Sequence, residues 1–180
     1  MAAAYAGVAL ELVPTDTGKQ PPELMKANPL AKIPVLLVEG GDAIYDSPVI
    51  VSWIDRISGG RLFPKDGEAR MRAEIMEAMA DGLCDTLLAH IYERRYRPEA
   101  IVHQPWLDKQ WERATRTLAH LESSPPSLDE IDAGKITVRA ALGYLALRFP
   151  GKWESDCPRL LAWAREFDDR HPALRECLPQ

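Results

Sequence analysis

The apolar positions follow two different rhythms, and the change falls near residue 66. Before it, apolar runs are short and broken by Gly and Pro. A small-residue helical stretch to about Ala9 leads into "LELVP", which reads as a strand, and then into a Pro- and Gly-rich loop through Pro22. "ELMKANP" predicts a helical turn that stops at Asn28-Pro29, because a residue before proline is pushed out of the helical region. "VLLV", Gly40-Gly41 and "AIY" form the pattern of a hairpin. A helix follows, capped by Asp46 or Ser47 with Pro48 at its first position, and its predicted core face is Val49, Ile50, Trp53, Ile54 and Ile57. Gly59-Gly60 ends it, and "RLFPKDGEA" reads as a linker.

After residue 66 the spacing is helical throughout. Ile75, Met79, Leu83, Leu87 and Ile91 recur at four-residue steps, and Trp111, Ala114, Leu118 and Leu121 form a second stripe. "ITVRAALGYLALRF" is apolar almost all round, as expected of a helix at the centre of a bundle, with Asp132 as its cap. A last helix around Leu160, Leu161, Ala164 and Phe167 stops before His171-Pro172. The chain therefore divides into a small α/β half, residues 1–60, and an all-helical half, residues 67–180.

Composition narrows the partners. With 46% hydrophobic residues in 180, an ordinary globular core is available. A net charge of -5 argues against nucleic acid, which requires clustered Lys and Arg. No stretch has the length and apolarity of a membrane span. The three cysteines, Cys84, Cys157 and Cys177, suggest neither a disulfide framework nor a zinc site, which fits a reducing, cytoplasmic setting. His90, His103, His120 and His171 lack metal-ligand spacing and read as surface or structural residues.

The candidate chemistry lies in residues 31–50. Pro34 has no N–H to give a ladder, so it belongs at a strand start, and its preceding peptide bond is a candidate for cis. That would leave the backbone of Ile33 available to an extended, peptide-like ligand. At Asp46-Ser47 a helix start offers N–H groups, a hydroxyl and the positive end of the helix dipole to a carboxylate, while the Asp46 side chain suits an ammonium. These positions together fit an α-amino acid head group followed by peptide backbone. The plainer alternative is a strand that starts at Pro34 and a cap at Asp46-Ser47, and spacing alone leaves both open.

"NPLAKIPVLLVEGGDAIYDSPVIVSWID" resembles the glutathione-binding segment of cytosolic glutathione transferases, the bacterial kind especially. "GKITVRAALGYLALRFPG" is similar to that family's core helix, and "ERRYRPEA" to the end of an earlier helix. The resemblance implies an incomplete thioredoxin-like N-terminal domain followed by an all-helical domain. It makes Pro34 the cis-proline, Ile33 the main-chain partner of the cysteinyl part of glutathione, and Asp46 with Ser47 the γ-glutamyl site. It also places Lys32 near the glycine carboxylate. It further implies glutathione as cosubstrate, a small electrophile as the second substrate, and a homodimer. The electrophile pocket would lie between the halves, where Tyr92, Tyr96 and Trp111 are candidate lining residues.

Two departures from the family pattern stand out. Lys135 occupies the position three after the Asp132 cap, where an acidic or amide residue usually closes a capping box, a loss of ~1 kcal/mol. The chain also opens inside what the family has as its first helix. The expected catalytic residue would therefore belong to a missing N-terminal strand and loop, and Tyr5, the one nearby hydroxyl, falls in mid-helix. Four lost core side chains at ~1.5–3 kcal/mol each would rival the ~5–15 kcal/mol that holds a domain together. The expectation is thus either a truncated sequence or another chain filling the gap. The competing function is a non-catalytic binding or dimerisation domain.

Overall fold

The computed structural model describes residues 1–179 and separates into two compact units, one of Ala2–Lys65 and one beginning at Asp66. In the first unit α1 (Ala2–Ala6) packs on α3 (Ser47–Ile57), with the short α2 (Pro22–Ala27) between them in sequence. Ala3, Ala6, Leu24, Ile50, Ile54, Leu62 and Phe63 supply its buried apolar side chains.

The expected sheet is much reduced. "VLLV" and "AIY" meet through a single antiparallel bridge between Leu36 and Ile44, closed by a turn in which the Gly41 N–H donates to the Val38 carbonyl at 3.0 Å. "LELVP" is not a strand. A strand exists only where a neighbouring chain takes up its backbone groups, and no backbone partner for residues 10–14 occurs among the described residues. Leu12 and Val13 are accordingly 82% and 75% exposed.

The predicted core face of α3 also needs correction. Ile50 and Ile54 are buried, but Val49 and Ile57 are about half exposed. The helix ends as a Schellman motif, with Gly60 N–H donating to the Asp55 carbonyl at 2.8 Å and Gly59 at φ +79°. "RLFPKDGEA" is not a loose linker at its start. Leu62 and Phe63 are buried, and both of their N–H groups donate to one Oδ1 of buried Asp55, at 2.8 and 3.1 Å.

The second unit is a helical bundle of α4 (Gly67–Tyr96), α5 (Gln104–Ser123), α6 (Ala133–Arg148), α7 (Pro158–Arg170) and the short α8 (Pro172–Arg175). α4 packs on both α5 and α6, and α7 packs on α5, α6 and α8. The face that α4 buries runs through Ala73, Glu77, Ala80, Leu83 and Leu87, whereas Ile75 is 60% exposed. A stripe of constant four-residue steps drifts by about 40° per step on a helix of 3.6 residues per turn. It therefore leaves the core face over the length predicted from Ile75 to Ile91.

α6 is central, as its all-round apolar surface requires: Ile136, Val138, Ala141, Leu142 and Leu145 are buried, and so is Arg139. Its first turn lies so near α4 that a Cβ on Gly134 would come within 2.6 Å of the Ala73 carbonyl oxygen. Asp132 caps it by accepting from the Lys135 N–H at 3.0 Å. Lys135, the unexpected residue at that position, turns its ammonium back onto the Asp132 carboxylate at 3.0 Å, so an ion pair stands where the capping box would have a hydrogen bond.

Candidate functional site

The loop that carries the first candidate residues is built on Asn28. Asn28 is 2% exposed and ends α2 in an extended conformation, as the following proline demands. Its side-chain N–H donates to the Lys32 carbonyl at 2.9 Å, its side-chain oxygen accepts from the Leu30 N–H at 3.0 Å, and its carbonyl accepts from the Ala31 N–H at 2.9 Å. The backbone is thereby fixed up to the residue before Ile33. The Ile33–Pro34 peptide is cis. Ile33 is 54% exposed, and its backbone groups have no backbone partner among the described residues.

The second cluster lies at the start of α3. Asp46 is the N-cap, and its carboxylate accepts from the Ser47 N–H at 2.5 Å and from the Ser47 hydroxyl at 3.3 Å. Pro48 is the second helical residue, one place later than the sequence suggests. Val49 and Ile50 N–H groups both close onto the Asp46 carbonyl at 3.0 Å.

The hairpin register joins the two clusters. Leu36 pairs with Ile44, and Pro34 and Asp46 each lie two residues outward from that bridge on its open side, each following a cis peptide bond, with Ile33 and Ser47 one residue further. Residues more than ten apart in sequence thus share one end of the hairpin. There an exposed main chain stands on one strand, and an acid with a hydroxyl at a helix N-terminus stands on the other. Lys32 is exposed beside them. This is a set of groups for a peptide: backbone for backbone, carboxylate for ammonium, hydroxyl and N–H for carboxylate.

The other candidates are dispersed. Tyr92 and Tyr96 stack edge-on, 5.0 Å between ring centroids. Trp111 is not with them. It lines a separate cavity of about 380 Å³ with His90, Arg94, Gln104, Leu107, Asp108 and Lys152. Sequence reasoning passed over His90, Arg94 and Lys152. The available signal was the pairing of His90 with Arg94 and of Gln104 with Asp108 at i,i+4. It missed Asn28 as an organiser too, reading it only as a helix end. Cys84 and Cys157 have thiols pushed up to about 11, chiefly by burial, so neither is a ready nucleophile at neutral pH. No helix among the described residues is long and apolar enough to cross a membrane.

The proteins to which this chain is similar include glutathione transferases and GST-like proteins. The family profile described as glutathione S-transferase, N-terminal domain, matches residues 1–57. The uncharacterised GST-like protein YibF of Escherichia coli (strain K12) is 34% identical over 155 residues, spanning 82% of this chain and 76% of that protein. Among solved structures, a glutathione transferase family member from Pseudomonas fluorescens Pf-5, crystallised with bound glutathione, superposes with a TM-score of 0.89. It is 34% identical, with 99% of this chain and 91% of that one covered. A glutathione S-transferase from Methylobacterium radiotolerans in complex with glutathione sulfonate gives a TM-score of 0.88 at 28% identity, with 99% and 86% covered.

Proposed function

The chain belongs to the glutathione transferase family, and from that premise we propose that it binds glutathione at the open end of the hairpin and delivers its thiolate to a small electrophile. The observation that supports this reading is the Leu36–Ile44 bridge, since Ile33-Pro34 and Asp46-Ser47 both leave it on its open side. In the proposed complex the Ile33 main chain pairs with the cysteinyl residue of glutathione. Asp46 takes the γ-glutamyl ammonium, and Ser47 with the first N–H groups of α3 takes the γ-glutamyl carboxylate. Lys32 stands near the glycine carboxylate. The glutathione-bound relatives from Pseudomonas fluorescens and Methylobacterium radiotolerans support the choice of ligand.

The reacting sulfur belongs to the cosubstrate, so the chain's own cysteines need no part in the chemistry. Ala2–Lys65 is then the glutathione-binding domain, and the bundle from Asp66 is the family's helical domain. We assign the chain to a homodimer; the half-exposed Val49 and Ile57 on α3 support an apolar contact with a second copy.

Calorimetric titration with glutathione tests the binding step. Ser47→Ala is expected to weaken it by about tenfold, the usual cost of a hydrogen bond to a charged group. An activated aryl chloride tests the chemistry: the thiolate forms a C–S bond, chloride leaves, and the thiol proton passes to solvent. Binding without thioether formation would favour the non-catalytic domain over the enzyme.

A further inference from the structure

The cavity beside Trp111 lies wholly within the helical bundle and is lined by none of the residues assigned to glutathione. Its floor is aromatic: His90 packs edge-on against Phe149 at 5.3 Å and Trp111 at 6.2 Å, and Trp111 lies 5.3 Å from Phe149. Two cations stand at its wall. The Lys152 ammonium is 6.0 Å from the centre of the Trp111 ring, and Arg94 comes from the turn of α4 after His90, its Nη1 3.8 Å from Glu99 Oε1 and its Nη2 donating to Gln104 Oε1 at 3.4 Å. Asp108, the acid of the lining, is engaged by the Gln104 amide N–H at 2.7 Å. His90 Nδ1 is shielded from solvent and lacks a hydrogen-bond partner among the described residues. Burial, with Lys152 and Arg94 nearby, holds the His90 pKa down, which favours the neutral ring.

We propose that this cavity is a binding site for a planar organic carboxylate of about the size of benzoate, with the carboxylate between Arg94 and Lys152 and the ring against Trp111 and Leu107. The size agrees: about 380 Å³ falls within the range of small-molecule pockets and exceeds what one inorganic anion fills. The chemistry agrees as well. A flat ring gains area on the indole, Lys152 adds a point charge above the same ring, and a ligand carboxylate would take the Arg94 fork from its long, exposed contacts with Glu99 and Gln104.

Benzoate titrated into the full chain by calorimetry tests this, with benzylamine as a ring of the same size and opposite charge. The expected result is saturable benzoate binding, weakened about tenfold in Lys152→Met and in Arg94→Gln. Benzylamine should not bind, and saturating glutathione should leave the benzoate affinity unchanged. Arg94 and Lys152 are both exposed, so neither substitution should unfold the bundle, which circular dichroism of the variants verifies. The proposal is overturned if benzoate does not bind, if both variants bind it as the wild type does, if benzylamine binds equally well, or if glutathione displaces it.

Discussion

Leu36 and Ile44 exchange both of their backbone hydrogen bonds, at 2.9 and 2.8 Å, and no other β-bridge occurs among the described residues. That one pair sets the register on which the whole candidate site depends. It should be visible in amide hydrogen exchange: Leu36 and Ile44 are expected to exchange at least about tenfold more slowly than Leu12 and Val13, whose N–H groups have no backbone partner. Equal rates would mean that the hairpin does not hold its register in solution.

Asn28 fixes the approach to Ile33 without being one of the groups offered to ligand. Asn28→Ala removes both side-chain bonds, to the Lys32 carbonyl and from the Leu30 N–H. It should lower stability by about 1–3 kcal/mol in urea denaturation, because two part-buried hydrogen bonds that hold the loop are lost. Glutathione affinity should fall with it, even under conditions where the variant is fully folded.

A different cost is expected at the joint between α6 and α7. Arg139 and Asp168 form a two-pronged pair, Nε to Oδ1 and Nη2 to Oδ2 both at 2.7 Å, with side chains only 9% and 15% exposed. Asp168→Ala alone should destabilise the bundle by about 3–5 kcal/mol, since it strands a buried guanidinium. Arg139→Met combined with Asp168→Leu should recover much of that loss. A double-mutant cycle on unfolding free energies measures the difference.

Glu77 makes stability depend on pH. It lies on the buried face of α4, and burial, followed by the charges of Asp81 and Glu74, raises its pKa from 4.5 to about 7. Between those values the folded chain keeps a proton that the unfolded chain has released, so this group's contribution declines as pH rises from 4.5 through 7. Glu77→Gln should abolish that slope and stabilise the protein above pH 7 by on the order of 1–3 kcal/mol. Thermal melts at pH 5 and pH 8 provide the comparison.

The helical unit was legible because each of its helices has a local signature. α6 declares itself by apolar residues on every side, and α7 by Leu160, Ala164 and Phe167 at helical spacing. Where the reading failed, the deciding information was not local. "LELVP" has the composition of a strand, but strand formation depends on a partner that no run of residues can announce. Val49 and Ile57 are apolar at helical spacing with Ile50 and Ile54, yet what α3 packs against sets which of them is covered. The Ile33-Pro34 and Asp46-Ser47 clusters were already read as one site, from the chemistry of a shared ligand and from the family resemblance. The Leu36–Ile44 bridge between them was not legible residue by residue, and Asn28's role follows from bonds that span four residues of irregular chain. The His90 cavity was legible only in part: its i,i+4 pairs are local, but Lys152 reaches it from beyond α6.

Glutathione bound at the open end of the hairpin should move the backbone amide signals there, which NMR follows during a glutathione titration. The largest changes are expected at Ile33, Ser47 and Val49, saturating together, with a midpoint about tenfold higher in Ser47→Ala. Absence of change at millimolar glutathione, or changes confined to residues beyond Asp66, would contradict binding at that end.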